Sequence, residues 1–283
     1  MSLSPSAPNG AMSRAPYSAT NGTTNYIRSC GVIAINTYRE VIRDRILYGI
    51  IVFALLLIGL SVILGGLSFT EQAKISADFG FAGIQIGASI LAIFVGSTLV
   101  SKEIDKQTIL TLLARPITRT QFVLGKFGGL ILVILTVMAG LAAVLAGLLL
   151  FLGLPINGLF FIALYGVVLE ALVLVSVTLM FGVVSRPAMT VIFASSLFLL
   201  GHWVSSLEGL MKLKSMASDP FFQSGVKLAK IIPNLERFNW RSAPIYNIAV
   251  PAQDLCYATL YALGWMIIFL SLTSFIFRRR DFV

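Results

Sequence analysis

The sequence predicts an all-α membrane protein of six transmembrane helices, and three observations carry that prediction. Apolar residues fill 57% of the 283 positions and charged residues 12%, with a mean hydropathy of +0.91. A soluble domain of this length cannot bury that much apolar surface and still coat itself with polar groups, whereas a bilayer solvates it directly. The apolar residues fall into six runs, and five of these exceed the roughly 20 residues that cross ~30 Å of hydrocarbon at 1.5 Å per residue. Finally, the basic residues behind the formal charge of +9 lie between the runs and form no single patch. That distribution reads as membrane topology, with anionic lipid headgroups as counter-charge, and excludes a nucleic-acid surface.

Each element follows in order. Residues 1–25 are rich in Ser, Ala, Pro, Asn, Gly and Thr with no apolar run, so they read as a disordered tail. Residues 26–45 place Ile27, Cys30, Ala34, Tyr38, Val41 and Ile42 at helical spacing against Asn36, Arg39, Glu40 and Arg43. This is an amphipathic helix suited to the membrane interface. The predicted spans are 46–67, 79–100, 127–153, 159–184, 188–204 and 255–277, the fifth being short. Between the last two lies an outer loop of roughly fifty residues, too long for a simple connection. It holds a predicted helix over 220–232, with Asp219 as N-cap and Pro220 at the first helical position.

Lys and Arg set the orientation. Fourteen lie on the side of the two termini, including Arg39, Arg43, Lys102, Lys106, Arg115 and Arg278–Arg280; seven lie on the other, from Lys74 to Arg241. The positive-inside rule therefore puts both termini in the cytoplasm, in agreement with an even number of spans. Cys30 and Cys256 then fall on opposite faces and cannot pair within one chain; each reads as a small core residue.

Little here could perform catalysis. No C-x-x-C or G-x-S-x-G occurs, and His202 is the single histidine, so one chain cannot build a multi-histidine metal site. Beside Trp203 near the end of a span, His202 reads as an interfacial polar residue. Gly125-Lys126-Phe127 is not a P-loop ending, because Thr120 and Phe127 stand where glycine and Ser or Thr are needed.

Glu170 is the one ionisable residue well inside a span, ~16 Å from its start and close to the midplane. A carboxylate there costs about 2.5–3.5 kcal/mol on insertion scales and should face protein or a wet cavity. Two readings stay open: a group on a translocation or proton path, or a protonated carboxyl bridging helices. Small residues recur at four-residue spacing, Gly83 with Gly87 and Ala139 with Ala143 and Gly147. They permit close helix packing, within the chain or across a dimer seam.

The most specific stretch is 101–127, SKEIDKQTILTLLARPITRTQFVLGKF. It reads as a charged turn, a short amphipathic helix over 105–113, a proline stop at Arg115-Pro116, and Arg119 and Lys126 snorkelling to the interface as the chain returns to the membrane. Ile109, Leu112 and Leu113 give this cytoplasmic loop an apolar surface that a partner protein or a lipid surface would cover.

These residues resemble the cytoplasmic loop of type-2 ABC-transporter permeases, whose pattern runs roughly E-x-x-x-G-T, L-x-x-P-[IV]-[ST]-R, G-K. Glu103, Thr108, Leu113, Pro116, Ile117, Thr118, Arg119, Gly125 and Lys126 match; Gln107 replaces the usual glycine. That replacement, the Tyr38–Asp44 segment and Ile232-Pro233-Asn234 are similar to the subgroup that includes the permeases for nitrous-oxide-reductase maturation and for gliding motility. The resemblance covers about residues 26–283 as one permease domain.

It implies the membrane subunit of an ATP-driven exporter in a bacterial inner membrane. The chain would pair with a second permease chain, identical or not, and with separate ABC ATPase subunits, with no cofactor and no catalytic site of its own. The loop helix becomes a coupling helix, with Glu103, Asp105, Thr108, Ile109, Leu112, Leu113, Arg115, Pro116 and Arg119 as ATPase-coupling residues and Glu170 as the candidate pathway contact. The alternatives are a structural or anchoring membrane subunit, or an ATP-independent channel or secondary transporter. The substrate is not readable.

Overall fold

The computed structural model describes residues 20–67, 71–105, 118–210 and 231–279. Among these residues every regular element is helical: α1 (Thr20–Ile42), α2 (Arg45–Gly66), α3 (Gln72–Asp105), α4 (Arg119–Phe151), α5 (Gly158–Val184), α6 (Pro187–Leu210), a 3₁₀ turn (Leu235–Phe238), α7 (Ser242–Tyr246) and α8 (Ala252–Arg279). Six helices, α2 to α6 and α8, are long and apolar enough to cross a membrane. Burial separates their roles. α3 and α5 are the enclosed helices of the bundle, while α2, α6 and α8 leave most of their apolar side chains outward, where lipid would cover them.

Local chemistry fixes the helix starts. Asp44 caps α2 by accepting from the Ile46 amide at 3.0 Å, so this span opens one residue before the predicted 46. Asn157 caps α5 through the Phe160 amide. Thr118 and Gln121 form a reciprocal capping box on α4, which satisfies two amide groups that a helix start otherwise leaves unpaired.

That capping box corrects a predicted boundary. Hydropathy starts the third span at 127, after Lys126, yet α4 begins at Arg119. Lys126 lies within it, 4% exposed, with its Nζ 3.4 Å from Glu40 Oε2 on α1. Arg119 is half-buried, and its Nη1 donates to the last carbonyls of α8, Phe277 at 2.6 Å and Arg278 at 3.0 Å. Neither side chain snorkels: one is covered by α1, the other caps a helix C-terminus, where a cation meets the negative end of the dipole. Other ends move too. α3 starts at Gln72 and runs on to Asp105, α6 extends from Pro187 to Leu210, and α8 covers Ala252–Arg279.

α1 begins at Thr20, within the segment expected to be a tail, and packs along the first half of α4. Gly125 and Gly129 make this possible. A β-carbon at Gly125 would meet Ile33, and one at Gly129 would meet Thr37 and the Ala34 carbonyl. Cys30 sits in this seam with its thiol directed at the Gln121 carbonyl, and burial pushes that thiol up from its ordinary value. Gly129→Leu is therefore expected to lift α1 off α4, at about 1–3 kcal/mol for overpacking. In a Cys256→Ser background, Cys30 should then label faster with a thiol reagent, since a freed thiol ionises more readily. Unchanged labelling and unchanged thermal stability would contradict this docking.

The small-residue stripes divide. Gly83 packs on Leu57 and Gly87 on Ala54, so this pair serves the α2–α3 contact within the chain. Ala139, Ala143 and Gly147 lie on the exposed side of α4. Cys256 is exposed on α8 and is not a core residue, because α8 is a peripheral helix.

Candidate functional site

A buried polar cluster lies where α3, α5 and α6 meet. Glu170 is 12 residues past the start of α5, or ~18 Å along its axis, and is 1% exposed. The neighbouring helices supply its partners. Gln85 of α3 donates from Nε2 to Glu170 Oε2 at 2.8 Å. Ser89, one turn further along α3, donates to the Gln85 backbone carbonyl at 2.8 Å and lies 3.3 Å from Glu170 Oε1. His202 of α6 brings its Nε2 to 3.6 Å from Glu170 Oε1 and 3.1 Å from Gln85 Nε2.

Donor counting settles the ring. The Gln85 amide nitrogen has two hydrogens and no lone pair to offer, so beside it His202 Nε2 must accept. The other ring nitrogen, Nδ1, lies 3.1 Å from the Phe198 carbonyl and carries the hydrogen. The His202 side chain is 25% exposed and Glu170 only 1%, so the histidine is the outer member of the group.

A cap of backbone covers this end of the bundle. The 3₁₀ turn and α7 pack on α5, α6 and α3. Gly166 of α5 receives the Phe238 carbonyl and the Trp240 ring, and Gly201 of α6 receives the Pro233 carbonyl and Leu235. Asn234 ties the segment down: its amide donates to the Tyr261 hydroxyl at 2.8 Å and its side chain pairs with Ser205. Arg241 reaches Asp78 at 3.4 Å, but both are well exposed, so this ion pair adds little.

Of this cluster, the sequence singles out Glu170 and not its partners. His202 has the sequence profile of an interfacial residue beside Trp203; the structure turns it inward to the carboxylate, while Trp203 is 67% exposed. Gln85 and Ser89 carry a weaker signal, which is their spacing. Two polar residues one helical turn apart inside an otherwise apolar run share a face.

Of the coupling residues, Glu103 and Asp105 lie on α3 (Gln72–Asp105). Thr108, Ile109, Leu112, Leu113, Arg115 and Pro116 lie outside the described residues, as does most of the predicted 220–232 helix. Arg119 stands at the start of α4, stacked 5.8 Å over the Phe277 ring.

A family model described as ABC-2 family transporter protein matches residues 32–282. No curated protein matches the chain.

Proposed function

Because the chain belongs to the ABC-2 family of transporter proteins, we propose that it is the permease of an ATP-driven exporter, coupled to separate ATPase subunits through residues 101–119. The observation that carries this reading is the family match across nearly the whole membrane domain, on a chain with six apolar helices. The membrane subunit follows from family membership. Export, coupling to hydrolysis, pairing with a second permease chain, a bacterial inner membrane and cytoplasmic termini are our proposals. So is kinship with the nitrous-oxide-reductase maturation and gliding-motility permeases, which rests on the loop, Tyr38–Asp44 and Ile232-Pro233-Asn234.

The geometry supports a route for coupling. α3 is one continuous helix that carries Gln85 and Ser89 at its middle and Glu103 and Asp105 at its end. An ATPase that shifts Glu103 and Asp105 therefore moves Gln85 and Ser89 against Glu170 on α5. On the far side of the loop, Arg119 links the start of α4 to the end of α8. Glu170 is then the pathway group, enclosed in this conformation and uncovered when α3, α5 and α6 part.

The test is Leu112→Ala with Leu113→Ala. Truncating a leucine buried in an interface costs about 2–5 kcal/mol, so an ATPase subunit should no longer co-purify from native membranes. Hydrolysis by any retained complex should no longer respond to substrate in reconstituted vesicles. Unchanged capture and unchanged coupling would leave the loop resting on lipid and remove the ATP-driven reading.

A further inference from the structure

We propose that the groove between the start of α4 and the end of α8 is a binding site for one anionic phospholipid. The groove is open along one side, offers about 440 Å³ and is walled by Thr120 and Leu124 of α4 and by Leu270, Ser271, Ser274, Phe275 and Arg278 of α8. Ile267 extends it deeper. On α8 the positions 267, 271, 274 and 278 recur at helical spacing and form one stripe along the helix. Two of the four are serines, and these small side chains open a channel where larger ones would fill it. The stripe is 11 residues long, ~16 Å at 1.5 Å per residue, close to half the ~30 Å hydrocarbon thickness and so to the reach of one acyl chain.

The polar end of the groove fits a phosphate. Arg278 is exposed and donates from Nη2 to the Thr120 hydroxyl at 3.2 Å. A neutral hydroxyl carries no counter-charge, and among the described residues no acidic side chain lines the groove. The neighbouring Arg119 is already spent on the α8 carbonyls. The planar guanidinium fork matches phosphate oxygens two at a time. Both groups stand at the helix ends, while Leu124 and Ile267 lie further along the apolar faces of α4 and α8. Charge complementarity selects the occupant: a chain of net charge +9 gives a second copy little to offer this arginine, whereas an anionic lipid supplies both phosphate and chain.

The test is native mass spectrometry of the full chain released from micelles holding equal amounts of phosphatidylglycerol and phosphatidylcholine. Both lipids carry the phosphate, but the choline ammonium cancels its charge and sits as a like charge near Arg278. The native chain should therefore retain phosphatidylglycerol over phosphatidylcholine by roughly tenfold, about 1.4 kcal/mol. Arg278→Gln should bring that ratio to near parity. Arg279→Gln removes the same charge one residue away, on a side chain that stacks on Phe275 but does not line the groove, and should leave the ratio intact. Ser271→Leu fills the channel and should reduce retention of both lipids; Ser271 is exposed, so the fold tolerates the change. Inorganic phosphate should not displace the lipid. A preference that survives Arg278→Gln, or that Arg279→Gln lowers equally, would overturn the site. So would displacement by phosphate, or a change on Ser271→Leu in dimer content but not in lipid retention, which would make the occupant a second copy.

Discussion

Glu170→Gln is expected to give a folded chain that no longer transports, whereas Glu170→Leu is expected to lose transport and much of its stability. The amide is isosteric with the carboxyl: its oxygen still accepts from Gln85, and its nitrogen can donate to the Ser89 hydroxyl. Leucine offers neither and leaves the Gln85 amide and the His202 ring facing a hydrocarbon side chain. Each buried group orphaned in this way costs about 1–3 kcal/mol, and more than one is at stake. Thermal unfolding of the purified chain reads the stability half, and transport in reconstituted vesicles reads the other. Native transport by Glu170→Gln, with destabilisation only in Glu170→Leu, would reduce Glu170 to a bridge between helices and remove it from the pathway.

Gly166→Leu is expected to detach the cap formed by the 3₁₀ turn and α7 from the bundle. A side chain here would be driven into the Phe238 carbonyl and the Trp240 ring. The first of these is backbone in a short turn held by Asn234, which cannot retreat without breaking the contacts to Tyr261 and Ser205. Overpacking of this kind costs on the order of 1–3 kcal/mol where neighbours can shift, and these can shift little. Trypsin added from that side should then cut at Arg237 and Arg241, which the native fold holds against Tyr261 and Asp78. Gly140→Leu serves as the control, because nothing lies within 4 Å of that position. Equal trypsin resistance in Gly166→Leu and the native chain would show that the cap does not depend on this notch.

Hydropathy makes the six spans legible because an apolar run of span length finds few stable surroundings besides a bilayer. It fails where a polar residue sits inside a helix with a specific partner. Lys126 ends the apolar run, so by hydropathy the third span starts after it. Its cover comes from α1, eighty-six residues earlier, in the form of Glu40, which a local window cannot see. The same holds for His202. Beside Trp203 it has the profile of an interfacial residue, and only the pairing of α3 with α5 and α6 brings it to Glu170. Glu170 itself is legible because a carboxylate at mid-span demands a partner whatever the fold. Which groups provide that partner is a property of helix packing, set by notches such as Gly87 against Ala54 and Gly96 against Thr178.

The length of α3 has a mechanical consequence. Its 34 residues make a rod of ~51 Å, well beyond the ~30 Å of hydrocarbon. Gln85 stands 13 residues from one end and 20 from the other, so a pivot at its contact with Glu170 divides the rod into arms of ~20 Å and ~30 Å. The longer arm reaches Asp105, beside the loop; the shorter ends at Gln72 and meets the cap about halfway along, where Asp78 faces Arg241. A lever of this shape works at a mechanical advantage. A sideways stroke at the end of the long arm reaches Asp78, ~10 Å from the pivot, in the opposite direction, shortened to about one third and with force raised about threefold.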